Sequence, residues 1–293
     1  MWNLKKHYVC FLMLIIGVSL LAQEKIMSDM ESYYDFLALD GFTERAYLNY
    51  RTLSDSKWAV NRQVGDIWKQ QIDFQKASKS KTLKIYGPEC LVSYNSTAPY
   101  GQNDGLLWQG KGLNAYLSAG LRFEKYGFEL TLKPEVAYSM NQDFEFMPPA
   151  YSGSLYDEKA AVYGYYGVSY VDAPQRYGDK ALVNYWWGDS EIRYSYKVFT
   201  VGFGSQYTWV GAARLNPILH SNHAPSYPKV DIGIRKTKLR FGKVDIGEIE
   251  ARLWVGQLRE SDYFDNDESN DKTLYSALSI GYAPSFLKGL VLT

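Results

Sequence analysis

The chain contains few of the residues from which catalytic and metal sites are built. It has two cysteines and three histidines in 293 residues. Cys10 lies in an apolar N-terminal stretch, so Cys90 has no cysteine partner once that stretch is removed. His220 and His223 form a His-Ser-Asn-His sequence, a weak metal spacing with no third ligand nearby. Ser205 with one of these histidines would suit a hydrolase, but nothing in the local sequence supports it. We predict no catalytic residue, no metal site and no cofactor.

An excess of charge of either sign is also missing. Lys and Arg number 32, and Asp and Glu number 32, so electrostatics gives no reason to expect a nucleic-acid partner. The acidic segment 265–271 looks at first like a calcium-binding loop. It departs from that pattern at Asn270, where glycine is required, and at Ser276, where glutamate is required. We interpret it as a solvated acidic external loop.

Long hydrophobic runs are confined to the N-terminus. Lys5, Lys6 and His7 precede an apolar stretch at 8–21, and Ala22 provides a small residue before a cut ahead of Gln23. This pattern predicts a cleaved Sec signal peptide at 1–22 and therefore export from the cytoplasm. No other stretch approaches the ~20 apolar residues of a membrane-spanning helix.

Alternation of apolar and polar residues is the strongest pattern that is present. In 127–138, GFELTLKPEVAY, every second residue from Phe128 to Tyr138 is apolar, and Glu129, Lys133 and Glu135 lie on the opposite face. A period of two residues predicts a β-strand. In a soluble sandwich the apolar face would form the core. In an outer-membrane barrel it would contact lipid, and the charges would face a wet lumen.

The lengths of the connections favour the barrel over the sandwich. Connections near 125–127, 197–198, 242–243 and 284–288 are short, whereas those at 95–112, 140–188, 210–228 and 259–272 are long. Short periplasmic turns alternating with long external loops are typical of a transmembrane barrel. We predict an all-β, antiparallel transmembrane barrel in residues 82–293. It has about nine strands and is incomplete, because the chain stops within an apolar stretch at 289–293 and no closing strand follows.

A small helical unit is predicted ahead of the barrel, in residues 23–81. Asp29 can cap a helix whose apolar residues recur every three to four positions, and Gly41 ends it. A second helical spacing runs over 58–74, and the polar sequence KASKSK at 76–81 forms a linker.

The long loops combine aromatic rings with planar polar side chains. Rings of Tyr and Trp can stack on the apolar face of a pyranose, and amides and carboxylates can bond vicinal hydroxyls. The alternative is that Gly, Pro and Asn only shape turns and the rings only fill the lumen. The candidate polysaccharide-binding residues are Tyr100, Asn103, Asp104, Trp108, Gln109, Asn114, Trp209 and Arg214.

Four loop segments together resemble the capsule assembly protein Wzi family, in the form common in Bacteroidetes. In sequence order they are YNSTAPYGQNDGLLWQGKGLN, DAPQRYG, SQYTWVGAARLNPILHSNHAPSYP and GQLRESDYF. The resemblance covers roughly 28–293. It departs from the family at Ala212 and Ala213, where a proline usually follows the glycine, and in lacking the C-terminal half of the barrel.

The resemblance implies a monomeric, non-enzymatic outer-membrane barrel with an N-terminal helical plug on the periplasmic side. It also implies a lectin-like role in which exported capsular polysaccharide is held at the cell surface, with outer-membrane lipid as the second partner. The alternative function is a porin or polysaccharide-export channel, whose lumen would conduct solute.

Overall fold

A computed structural model describes residues 28–39, 41–55, 57–60, 82–145, 176–260, 269–287 and 289–293. The predicted signal peptide, most of the predicted second helix and the linker at 76–81 lie outside these ranges. Within them, no helix has the length and apolar character that crossing a membrane requires.

The N-terminal unit contains one described helix, α1 (Asp29–Leu39), and three two-residue strands, β1 (Thr43–Glu44), β2 (Tyr50–Arg51) and β3 (Ala59–Val60). Ser28 rather than Asp29 caps α1, because the amide of Glu31 donates to Ser28 Oγ at 3.1 Å. β1 pairs with β3, so the segment after Trp58 opens as a strand and not as a helix. A small core holds the unit together and consists of Tyr34, Leu37, Phe42, Tyr47 and Trp58.

The rest of the described chain forms a ten-stranded antiparallel sheet. Its strands are β4 (Leu83–Asn95), β5 (Gly112–Lys125), β6 (Phe128–Leu132), β7 (Glu135–Ser139), β8 (Leu182–Trp186), β9 (Glu191–Tyr196), β10 (Phe199–Gly204), β12 (Lys229–Phe241), β13 (Val244–Arg259) and β14 (Lys272–Pro284). The short strand β11 (Trp209–Val210) leaves this sheet and pairs with β2. The predicted antiparallel β-fold is confirmed.

Two of the long strands are interrupted midway. β6 and β7 both pair with β5 and are separated by Lys133 and Pro134. Pro134 has no amide hydrogen for the ladder, which accounts for the break. β8 and β9 continue the next strand in the same way, pairing with β7 and β6 respectively. Side chains nevertheless alternate between the two faces without a slip from Phe128 to Ser139.

Counting each interrupted pair as one strand, eight long strands follow one another in chain order. The predicted two-residue turns at 126–127, 197–198 and 242–243 are all present. Beyond β14, Leu292 pairs with Tyr282 as a bridge, which adds the start of a ninth. Among the described residues β4 and β14 do not pair with each other, so the sheet is open.

The two faces of the sheet are reversed relative to a water-soluble β-protein. Apolar strand residues are exposed, among them Ile85, Leu117, Leu121, Leu130, Leu132, Val136, Ile192, Val201, Ile232, Leu253 and Leu278. Charged strand residues are buried, among them Arg122, Glu129, Lys133, Glu135, Glu191, Arg193, Asp231, Glu250 and Arg252. Buried charges are rare unless they are paired, so their partners decide whether this interior is stable.

Candidate functional site

The polar interior is held by a chain of charge-assisted hydrogen bonds. Arg193 contacts Glu191 through Nε and Asp231 through Nη2, both at 2.6 Å. Arg252 continues the chain, with Nη1 at 2.5 Å from Asp231 and Nη2 at 2.6 Å from Asp55. All five side chains are buried. At this point of the interior the charges are buried and paired with each other, which differs from the solvated charges that a wet lumen would contain.

The N-terminal segment, residues 48–55, makes specific contacts within this interior. One carboxylate oxygen of Glu250 accepts the successive amides of Leu48, Asn49 and Tyr50 at 3.1, 2.8 and 3.1 Å. Asp55 supplies the carboxylate that completes the Arg252 chain. Because three successive backbone amides donate to one carboxylate, these hydrogen bonds hold the segment in a defined position against the sheet.

Asp55 shows how strongly this segment is held by charge. Burial would raise the pKa of its carboxyl, but Arg252, Arg193 and Arg235 outweigh that effect and hold the pKa well below its ordinary value. A lowered pKa contributes stability above the unfolded-state value of about 4, and that contribution is lost as the pH falls towards the folded value. The ionised Asp55 carboxylate therefore contributes its full stabilisation at neutral pH.

The loop 205–228 enters the interior from the long-loop end. Trp209 is fully buried, its indole donates to the carbonyl of Ala213 at 2.8 Å, and the Arg51 guanidinium lies 5.4 Å from its ring centroid. Arg214 extends in the other direction and donates to Ser32 Oγ and Asp35 Oδ2 of α1, each at 2.8 Å. This loop joins the sheet to the N-terminal unit.

The two histidines that the sequence offers as candidates for a metal or catalytic site, His220 and His223, lie in this same loop. His220 places Nδ1 2.9 Å from the Thr208 carbonyl and Nε2 2.9 Å from the Tyr227 hydroxyl. Burial and nearby Lys229 lower its pKa, which favours the neutral form of the ring. The Ser205 hydroxyl donates to the backbone carbonyl of Gly188 at 2.8 Å. In the part of the chain that the structure describes, no group of three metal-ligating side chains occurs.

Five of the predicted binding residues lie in the loop 96–111, namely Tyr100, Asn103, Asp104, Trp108 and Gln109. Tyr100 donates its amide to the Gln109 carbonyl at 3.1 Å, and Gln109 Nε2 donates to Asp104 Oδ2 at 2.8 Å. Asn103 donates from Nδ2 to the Leu215 carbonyl at 2.9 Å, which joins the loop to 205–228. The Tyr100 side chain is 78 % exposed, so its ring is open to a ligand.

Trp108 and the three predicted residues outside this loop occupy different surroundings. Trp108 is half-buried, with its indole donating to Asn141 Oδ1 at 3.3 Å and its ring packed on the edge of Tyr177 at 4.7 Å. Asn114 is fully buried and donates to the carbonyls of Gly110 and Gly112 at 2.9 and 3.1 Å. Trp209 is inside the sheet, and Arg214 is paired with α1. These placements favour shaping of the loops over direct contact with a ligand.

Sequence reasoning missed polar residues that complete the loop surface. Gln102 Nε2 donates to Asn216 Oδ1 at 2.7 Å, and Asn222 Nδ2 donates to the Asn103 carbonyl at 2.9 Å. Both contacts join residues more than one hundred positions apart, and local sequence carries no signal for them. The result is one surface built from 96–111 and 205–228.

Together these features define an open antiparallel sheet with an apolar outer face, an ion-paired interior and a joined pair of loops at one end. Comparisons with family models, with curated proteins and with solved structures found no match.

Proposed function

We propose that this chain forms part of the wall of an outer-membrane barrel that holds exported capsular polysaccharide at the cell surface. The observation that carries the membrane location is the reversal of the sheet. A band of exposed Leu, Ile, Val and Phe outside buried, paired charges is what lipid requires and water disfavours. The sugar-binding role is supported by the loop surface and by the four-segment resemblance to the Wzi family.

The filled interior favours attachment over transport. The charged groups of Glu250, Arg252 and Asp231 are paired with the N-terminal segment or with each other, so these charges are not available to line a conducting path. The alternative, a porin or export channel, makes a different prediction. In a planar bilayer the intact protein should give almost no stepwise conductance, whereas stable single-channel steps would favour the channel.

Tyr100→Ala is the sharpest test of polysaccharide binding. The ring is exposed, and among the described residues its removal breaks no side-chain contact that holds the loop, so barrel abundance should stay normal. Losing one stacking ring, worth ~0.5–1.5 kcal/mol, should weaken retention of cell-bound polysaccharide roughly two- to tenfold. The amounts of released and cell-bound polysaccharide measure this directly.

Trp108→Ala is the matched comparison. Trp108 is packed on Tyr177 and bonded to Asn141, so its loss should lower barrel abundance and retention in parallel. Unchanged retention in Tyr100→Ala would remove this ring from the binding site. A fall in retention for Trp108→Ala at normal abundance would assign the contact to the indole instead.

Chemical labelling tests the orientation of the sheet. Cys90 is exposed and lies opposite the outward-facing Leu117 in the β4–β5 register. An impermeant maleimide should therefore label it after denaturation but not on intact cells.

In a Cys90→Ser background, Tyr100→Cys should be labelled on intact cells and Phe286→Cys should not. Labelling only at Phe286→Cys would invert the topology, and rapid labelling of native Cys90 would place the outer face in water.

A further inference from the structure

The three two-residue turns of the sheet share a composition that the proposed function does not explain. We call residues 125–128, 196–199 and 241–244 the short-turn rim. Each turn carries one lysine, namely Lys125, Lys197 or Lys243. Each also carries exposed aromatic rings, namely Tyr126, Phe128, Tyr196, Phe199 and Phe241. The rim therefore combines regularly placed positive charge with a belt of rings.

The rim lysines lack carboxylate partners among the described residues. No salt bridge there involves Lys125, Lys197 or Lys243. Two of the ammonium groups instead lie over neighbouring rings, with Lys125 Nζ 5.0 Å from the Tyr126 centroid and Lys197 Nζ 5.3 Å from that of Tyr196. The charges are thus held at the level of the rings and remain available.

The nearby acidic side chains are turned to other partners. Glu124 and Glu129 point inward, where each lies within salt-bridge distance of Arg122 and Lys57. Asp245 accepts the amide of Gly247 at 3.0 Å. At the opposite end of the sheet, the connection 260–271 holds six acidic residues and no basic one. The acidic side chains nearest to the rim lysines are therefore engaged by other groups.

We propose that the short-turn rim binds the headgroups of anionic phospholipids in the leaflet that it meets. This inference rests on the proposed membrane location and adds a partner to it. Aromatic rings favour the level of the headgroups at a membrane interface. A lysine near an anionic surface contributes about 1 kcal/mol, which corresponds to roughly a fivefold preference. An ammonium beside such a ring, with no internal carboxylate, is placed to contact a phosphate.

The test is the lipid selectivity of the intact protein in vesicles. The full chain is reconstituted in phosphatidylcholine, and trace spin-labelled phosphatidylglycerol or phosphatidylcholine reports the lipid at the protein surface. We expect phosphatidylglycerol to be preferred by about two- to fivefold at low salt. The preference should approach unity at roughly 0.5 M salt, where screening shortens the range of surface charge to a few ångströms.

Two triple variants separate the rim from net charge. Lys125→Gln/Lys197→Gln/Lys243→Gln should lose the preference, and Lys111→Gln/Lys180→Gln/Lys272→Gln, which removes equal charge at the long-loop end, should keep it. Equal loss in both variants, or a preference in the intact protein that survives high salt, would overturn the inference.

Insertion is read separately, from protection of Cys90 against an impermeant maleimide. Failure of the intact protein to insert would refute the membrane location itself. Insertion without any preference for phosphatidylglycerol would refute only the rim inference.

Discussion

Leu132→Arg should destabilise the inserted protein by roughly 2–4 kcal/mol, the cost of an arginine on a lipid-facing strand near the bilayer midplane. Leu132 is 42 % exposed and lies on the apolar face of β6. In water an exposed leucine is replaced by arginine at little cost, so a large effect at this position requires lipid. Folding yield in vesicles and unfolding in urea measure it.

Leu219→Arg provides the matched control. This leucine is 65 % exposed but lies in the loop 205–228, outside the sheet, so the same substitution should change stability by less than about 0.5 kcal/mol. Glu129 is unsuitable as a comparator, because its carboxylate lies 2.5 Å from Arg122 Nη2 in the interior. Equal, small effects at Leu132 and Leu219 would mean that water covers both.

Arg252→Met should cost about 3–5 kcal/mol, the penalty for breaking a buried ion pair from one side. The guanidinium joins Asp231 to Asp55, and methionine would leave both buried carboxylates short of a partner. Because Asp55 belongs to the N-terminal segment, its release from the sheet should accompany the loss. Urea unfolding gives the free energy, and limited proteolysis within 41–55 reports the release.

Arg45→Met is the control for the buried position. Arg45 makes a 2.6 Å contact with Asp35 but its side chain is 44 % exposed, and such pairs contribute about 0–1 kcal/mol. Asp35 also retains Arg214. If Arg252→Met lowered the free energy of unfolding as little as Arg45→Met, the charges of the interior would be stabilised by water and not by their ion pairs.

The strands and the two-residue turns could be predicted because they depend on local sequence. Alternation around Leu132 fixes which residues share a face, and the change of phase after Tyr196 locates the turn at Lys197–Val198. Alternation also assigned Glu129 to the polar face. It carried no information on hydration, since burial of that carboxylate depends on Arg122 and Lys57.

The candidate site was less predictable, because its contacts join distant segments. Trp209 and Asn114 are residue types common in sugar-binding sites. In this structure, however, the side chain of each donates a hydrogen bond to a nearby backbone carbonyl. Arg214 pairs with Asp35 across 179 positions, and nothing local in either segment indicates the other. Tyr100 and Trp108 carry the same kind of chemical signal in the sequence, and only the structure shows that Tyr100 is exposed whereas Trp108 is half-buried.

The docking of the N-terminal segment has a consequence for folding order. Leu48, Asn49 and Tyr50 meet Glu250 about 200 positions later in the chain, and Asn49 meets Ser279 after 230. Contacts of such long range form slowly, because the intervening chain must be ordered first. Residues 48–50 are synthesised before the strands that hold them and are therefore among the last to reach their native positions. Pulsed hydrogen exchange should find the amides of Asn49 and Tyr50 protected after those of β12 and β13, so that their protection marks the completed assembly of the sheet.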